Sequence, residues 1–247
     1  MTNRAERILV ESKDNAIVYG IAAAHNRVVW SWLDHQAKRT CQDEAVLSLL
    51  DLTNDHQIEL NRACFQTEHH WRAVSMDGDR LVAEFWQATS KPGKALGDIA
   101  LFNLNATDLT QFTLLHVSPA GQNNALPSIT GNWVLWARST GNETNCLLFD
   151  LRTDTQLAPP PGWQQANCPS AQSASGYFFK PSAVDAQSLI LYQPERHTSI
   201  NVQPKTKGLV GPATVFEDTV ALAVRINPEQ AQVINSVVEW THLDHHP

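Results

Sequence analysis

The sequence predicts an all-β fold: a five-bladed β-propeller with four antiparallel strands per blade and an N-terminal strand closing the last blade. Two observations lead there. A tight polar turn followed by a run of apolar residues occurs five times: His25-Asn26-Arg27-Val28-Val29-Trp30, Asp77-Gly78-Asp79-Arg80-Leu81-Val82, Thr130-Gly131-Asn132-Trp133-Val134-Leu135, Ala174-Ser175-Gly176-Tyr177-Phe178-Phe179 and Glu217-Asp218-Thr219-Val220-Ala221-Leu222. With Asn26, Gly78, Gly131, Gly176 and Asp218 as markers, the spacing is about 42–53 residues, the length of a unit of several short strands. The remainder that wraps from Asp218 through the C-terminus back to Asn26 is about one further unit, so five units account for the chain.

The elements follow in order. The first blade, approximately 16–60, reads Ala16–Ala23, Arg27–Leu33, Ala45–Leu52 and His56–Leu60. The second, 71–117, reads Trp71–Met76, Arg80–Trp86, Ile99–Leu104 and Gln111–Leu115. The third, 125–158, has strands at Ala125–Ile129, Trp133–Arg138 and Cys146–Leu151, a Gly/Asn-rich loop at Ser139–Asn145 and a short last strand around Gln156-Leu157. Polar turn residues between β-branched and aromatic runs are the hairpin signal. The fourth blade, 168–204, is degenerate, with Pro169–Ser173, Tyr177–Lys180, Ser188–Gln193 and Thr198–Val202. The fifth, 209–243, offers only Pro212–Phe216, Thr219–Arg225 and Val233–Trp240. Segment 7–11, Arg7-Ile8-Leu9-Val10-Glu11, precedes the first inner strand and is expected to supply the missing outer strand. Residues 1–247 are thus read as one domain, because no blade buries both faces alone.

Three turns match in detail: Asp51-Leu52-Thr53-Asn54-Asp55, Asn103-Leu104-Asn105-Ala106-Thr107 and Asp150-Leu151-Arg152-Thr153-Asp154. In each the Asp or Asn side chain is expected to bond the turn backbone and the Leu to enter the blade. Together with Gly131-Asn132-Trp133-Val134-Leu135-Trp136 and the ending from Leu147 to Leu157, echoed by Gln57-Ile58-Glu59-Leu60, they resemble the repeats of TolB-like propellers. The resemblance is strong in the first three blades and weak in the last two. It implies a propeller of a family that usually has six blades, is often exported and commonly binds other proteins. The GH…WD dipeptides of WD repeats are absent.

Composition narrows the function classes. The chain has 247 residues, 43% of them hydrophobic, a net charge of −7 and no Lys/Arg-rich run, which argues against a nucleic-acid partner. Its longest apolar stretch, Ile17 to Ala24, is too short to span a bilayer, so no membrane insertion is expected. No signal segment is recognisable near Met1, and a cytoplasmic location is the expectation. Cys41, Cys64, Cys146 and Cys168 lack C-x-x-C spacing; reduced, partly buried thiols are expected, with one or two disulfides left open for an exported protein.

No nucleophile elbow, zincin motif, P-loop or Rossmann fingerprint occurs, and the expected inner strands carry no carboxylate of the kind glycosidases use. No catalytic residue, cofactor or metal ligand is therefore assigned. Glu68-His69-His70-Trp71 and His242–His246 lack zinc spacing, and turn chemistry accounts for Asp77-Gly78-Asp79. Glu84 is an unexplained charge in a core strand, with Arg138 a conceivable partner.

The expected function is that of a non-enzymatic protein–protein interaction module or scaffold. The long connections Asp34–Glu44, Asn61–His70, Gln87–Asp98, Ser118–Asn124, Pro159–Asn167 and Pro204–Gly211 share one face of a propeller, and long loops on a rigid scaffold commonly bind. Trp163, after Pro159-Pro160-Pro161-Gly162, is the leading contact residue, with Trp71, Arg39, Lys91 and Lys94 as further candidates. Trp163 folded over a blade edge is an equal alternative, and Trp71 is ambiguous. Trp30, Trp32, Trp86, Trp133 and Trp136 lie in strands and are expected in the core rather than as ligand platforms. The alternatives are a glycan- or small-molecule-binding propeller and an enzyme with a dispersed site at the channel mouth.

Overall fold

Alternating turns and apolar runs fold into successive antiparallel sheets. The computed structural model describes residues 16–35, 41, 43–87, 96–116, 122–159, 163, 172–182, 187–216, 219–226 and 235–243. The first sheet contains β1 (Ile17–Ala24), β2 (Arg27–Asp34), β3 (Glu44–Asp51) and β4 (His56–Cys64), and the second β5 (His69–Asp77), β6 (Arg80–Gln87), β7 (Leu96–Asn103) and β8 (Phe112–His116). The third holds β9 (Gln122–Thr130), β10 (Trp133–Thr140), β11 (Glu143–Asp150) and β12 (Thr155–Leu157). The fourth holds β13 (Gln172–Ala174), β14 (Tyr177–Pro181), β15 (Leu189–Gln193) and β16 (Thr198–Val202). The last has three strands among the described residues: β17 (Leu209–Phe216), β18 (Thr219–Ile226) and β19 (Asn235–His242).

First strands pack against first strands: β1 on β5, β5 on β9, β9 on β13 and β13 on β17. This is a propeller-like arrangement. The sheets bury their faces against one another in a matching series. Leu47 and Val29 of the first sheet meet Trp71 and Phe102 of the second. Val82 and Ile99 of the second meet Trp136 and Phe149 of the third. Trp133 and Leu148 meet Phe178 and Tyr192, and Phe179 and Leu191 meet Val215 and Leu222. Trp30, Trp133 and Trp136 are all buried, as the strand register required, but Trp32 and Trp86, each near the end of its strand, are only half-buried.

Turn residues lock adjacent sheets at one end. Asp77 accepts a hydrogen bond from the Gly131 N–H at 2.5 Å, Thr130 accepts one from the Gly176 N–H at 2.9 Å, and Ser175 donates to the Val215 carbonyl at 3.0 Å. Arg80 adds a bond to the Gly131 carbonyl at 2.8 Å, and Arg27 pairs with Asp79. Each of these bonds joins the first hairpin turn of one sheet to the next sheet, so these turns help to hold the sheets together.

The three matching outer turns behave as their sequences require. Asp51, Asn103 and Asp150 each accept the N–H two residues on, from Thr53, Asn105 and Arg152, at 2.8–3.0 Å. Leu104 is buried, but Leu52 is 52% exposed, so the inward Leu is not general. The Gly/Asn loop expected at Ser139–Asn145 is instead a two-residue hairpin turn: β10 and β11 pair as far as Thr140 with Glu143, with Gly141 at φ 60° supplying the left-handed residue. The marker alignment shifts by one at two turns, where His25 and Ser175 occupy the positive-φ position held by Gly78 and Gly131. Of the last strand expected at Val233–Trp240, the described part runs Asn235–His242. Segment 7–11 lies outside the described residues.

Candidate functional site

At the end opposite the interlocked turns the first strands begin, and side chains near the starts of β1 and β5 gather with neighbours into a rim. β1 brings Tyr19, β5 brings His70 and Arg72, β6 ends with Trp86, and Phe65 follows β4 directly. These side chains form one aromatic column. Tyr19 and Phe65 lie nearly parallel with centroids 6.5 Å apart, Phe65 and His70 are 4.4 Å apart, and His70 stacks on Trp86 at 6.0 Å. The exposed Arg72 guanidinium lies 4.5 Å above the Trp86 ring, a cation–π contact that leaves its N–H groups toward solvent.

Burial between two rings sets the chemistry of His70. Burial first, and then the positive charge of Arg72 and His69, lowers its pKa to about 4. Neither ring nitrogen makes a well-formed hydrogen bond among the described residues, and the Phe65 backbone offsets only a small part of the burial effect. His70 is therefore neutral at physiological pH and acts as an aromatic plate rather than a charge. Burial raises the Tyr19 hydroxyl, so it remains a protonated donor. His69 bonds Asn61 at 2.8 Å, which also accepts from the Trp71 indole at 3.1 Å; these two rings are held by one amide.

Behind the rim sits Glu84, almost fully buried. Its partner is not Arg138, which bonds Asn124 at 3.1 Å. One Glu84 oxygen accepts from the Trp86 indole and the other from the Leu126 N–H at 3.0 Å. Leu126 sits at φ 54°, a left-handed conformation uncommon for leucine and made more restrictive by Pro127 after it. The carboxylate thus fixes both a rim ring and a strained backbone position in the neighbouring sheet.

The cavity below the rim has a volume of about 450 Å³. All five first strands contribute, among them Ile21, Val74, Leu126, Ser173 and Ala213, and among the described residues no charged or titratable side chain lines it. Ser75 and Ser173, from sheets that are not neighbours, approach to 3.3 Å across it near the turn-bearing end. Ser75 also accepts from the Ile129 N–H at 3.2 Å.

The residues expected to make contacts lie elsewhere. Trp163 is fully buried, in one cluster with Phe178 and Tyr192 and with the Lys180 ammonium 4.7 Å from its ring. The indole thus packs into the third-to-fourth sheet interface and not on a free rim. Trp71 is equally buried, ringed by Phe85, Phe102 and Phe112 at 5.1–5.5 Å. Neither indole offers a free contact surface. Arg39, Lys91 and Lys94 lie outside the described residues. No group of three or more potential metal ligands occurs among the described residues.

The reduced-thiol expectation is corrected. Cys41 and Cys64 form a disulfide with a Cα separation of 5.8 Å, and Cys146 is disulfide-bonded too. The first bridge sits next to Phe65 and ties the connection after β2 to the start of the aromatic column. It is supported by the Phe65 N–H bonded to the Asp43 carbonyl at 3.0 Å and His35 bonded to Asp43 at 2.7 Å. Arg62 adds ion pairs to Asp34, Glu44 and Glu59.

Solved structures share this architecture. TolB from Acinetobacter baumannii superposes with a TM-score of 0.57 at 13% identity, over 89% of this chain and 51% of its own. A prolyl endopeptidase matches at 0.58 and 11% identity, over 92% of this chain and 34% of its own. An oligogalacturonate lyase in complex with manganese matches at 0.52 and 9%, over 93% and 66%. The chain therefore has a TolB-like β-propeller fold, and it spans about half the length of TolB and a third of the endopeptidase. No protein-family model matches the chain, and no curated protein sequence does.

Proposed function

We propose that this propeller is a non-enzymatic binding module whose partner, a protein, docks on the rim formed by Tyr19, Phe65, Arg72 and Trp86. The observation that carries the reading is the division of labour between the two ends. At the turn-bearing end, Asp77, Thr130 and Arg80 are engaged in joining one sheet to the next. The opposite end presents half-buried aromatic rings and an exposed arginine, the residue types that anchor protein interfaces. The uncharged cavity supports binding over acid–base chemistry, because its described lining contains no group that could transfer a proton.

Two further features belong to this reading. The five sheets are the five blades of a ring, and segment 7–11 supplies the fourth strand of the last. The exposed Val238 and Trp240 on β19, at 58% and 67%, are the apolar side chains such a strand would help to cover. The disulfides support work in an oxidising compartment rather than the cytoplasm first expected, since thiols are kept reduced there.

The test compares Arg72→Glu combined with Tyr19→Ser against Asn54→Lys combined with Thr153→Glu in affinity capture from native extract. The rim variant should lose a protein that wild type and the turn-face variant both retain. Retention by the rim variant with loss from the turn-face variant would refute the proposal.

A further inference from the structure

We propose that the central cavity is a binding site for an uncharged, amphipathic small molecule, separate from the protein-binding rim. Charge is the first argument. The described lining, drawn from all five first strands, has no ionised side chain, and an ion entering it would lose water without gaining a counter-charge there. Glu84, the nearest buried carboxylate on the rim side, has both oxygens occupied by Trp86 and Leu126.

Apolar exposure is the second. Ile21 is 61% exposed and Leu126 38% exposed, and both line this cavity. Leu126 is held there in a left-handed conformation by a buried carboxylate, and strain of this kind persists where surrounding structure enforces it for a purpose. A ligand that covered both side chains would recover the apolar burial the free protein lacks.

The polar end follows from the floor. Ser75 and Ser173 meet at 3.3 Å across the cavity, and one of the two hydroxyls can turn to a hydroxyl, carbonyl or amide of the ligand. A volume of about 450 Å³ falls within the range of small-molecule sites.

The neutral fluorophore N-phenyl-1-naphthylamine serves as the probe, titrated into the full chain with disulfides intact. Saturable binding at one probe per chain is expected, with the anionic 1-anilinonaphthalene-8-sulfonate weaker by about tenfold or more. Ala23→Phe, which fills the cavity from an exposed lining position, should abolish binding. Leu126→Gly suits the positive φ and so guards against a folding failure; it should weaken binding by about tenfold. 1-Octanol should displace the probe and glucose should not. Equal binding of the two fluorophores, affinity unchanged in both variants, or displacement by glucose rather than octanol would overturn the proposal.

Discussion

The Glu84 carboxylate in β6 accepts the backbone N–H of Leu126 in β9 at 3.0 Å, joining the second sheet to the third directly behind the cavity rim. Its other oxygen holds the Trp86 indole, so one buried side chain organises a rim aromatic and a cavity residue together. Glu84→Ala leaves two donors without an acceptor and should destabilise the fold by about 2–4 kcal/mol. Chemical unfolding checks this, and a change under 1 kcal/mol would mean that water replaces the carboxylate without loss.

His70 makes stability depend on pH. Its folded pKa, about 4, lies below the unfolded value near 6.5, so the unfolded chain binds the extra proton first. The stabilisation is complete above pH 6.5, declines as pH falls below it, and is lost through pH 4. His70→Phe keeps an aromatic plate between Phe65 and Trp86 and removes the proton site. Between pH 7 and 5 the variant should lose less stability than wild type; identical losses would place the His70 ring in solvent.

Trp163→Ala should act on stability and not on a free surface. Removing a fully buried indole costs about 3–5 kcal/mol, and it strips the aromatic face from the buried Lys180, whose pKa burial already lowers. Thermal and denaturant unfolding both report it. A variant as stable as wild type would contradict the packing at the third-to-fourth sheet interface.

The Cys41–Cys64 bridge closes a loop of moderate length, and its removal should cost about 3 kcal/mol. Cys41→Ser with Cys64→Ser, measured by denaturant unfolding under oxidising conditions, isolates this bridge. The same variant should loosen Phe65, seen as faster hydrogen exchange in 64–68. No change in either readout would mean that Arg62 and its carboxylates hold this corner unaided.

Much of the fold is written locally. The turn at Gly131-Asn132 and the three Asx-type outer turns each depend on two to four consecutive residues, and each formed where its residues stand. The buried Trp133 and Trp136 stand on opposite faces of one strand, and with Trp30 they follow from strands that are apolar on both sides. The site is not written that way. Tyr19, Phe65, His70, Arg72 and Trp86 come from three strands and a turn, and only the stacking of the first two sheets brings them together. The unusual Glu84 was a usable signal, but its partner is a backbone N–H, which carries no sequence signature. Trp163 misled for a related reason: a tryptophan after a proline run reads the same whether it points outward or into a neighbouring sheet. Disulfide pairing depends on Cα separation in the folded chain, which spacing along the sequence does not encode.

Hydroxyl-radical footprinting of the chain, alone and bound to its captured partner, tests the division between the two ends most directly. The account predicts that Tyr19, Phe65 and Trp86 become protected in the complex while the turn residues Leu52 and His56 stay as reactive as in the free chain. Protection of Leu52 and His56 with the three rim rings unchanged would contradict it.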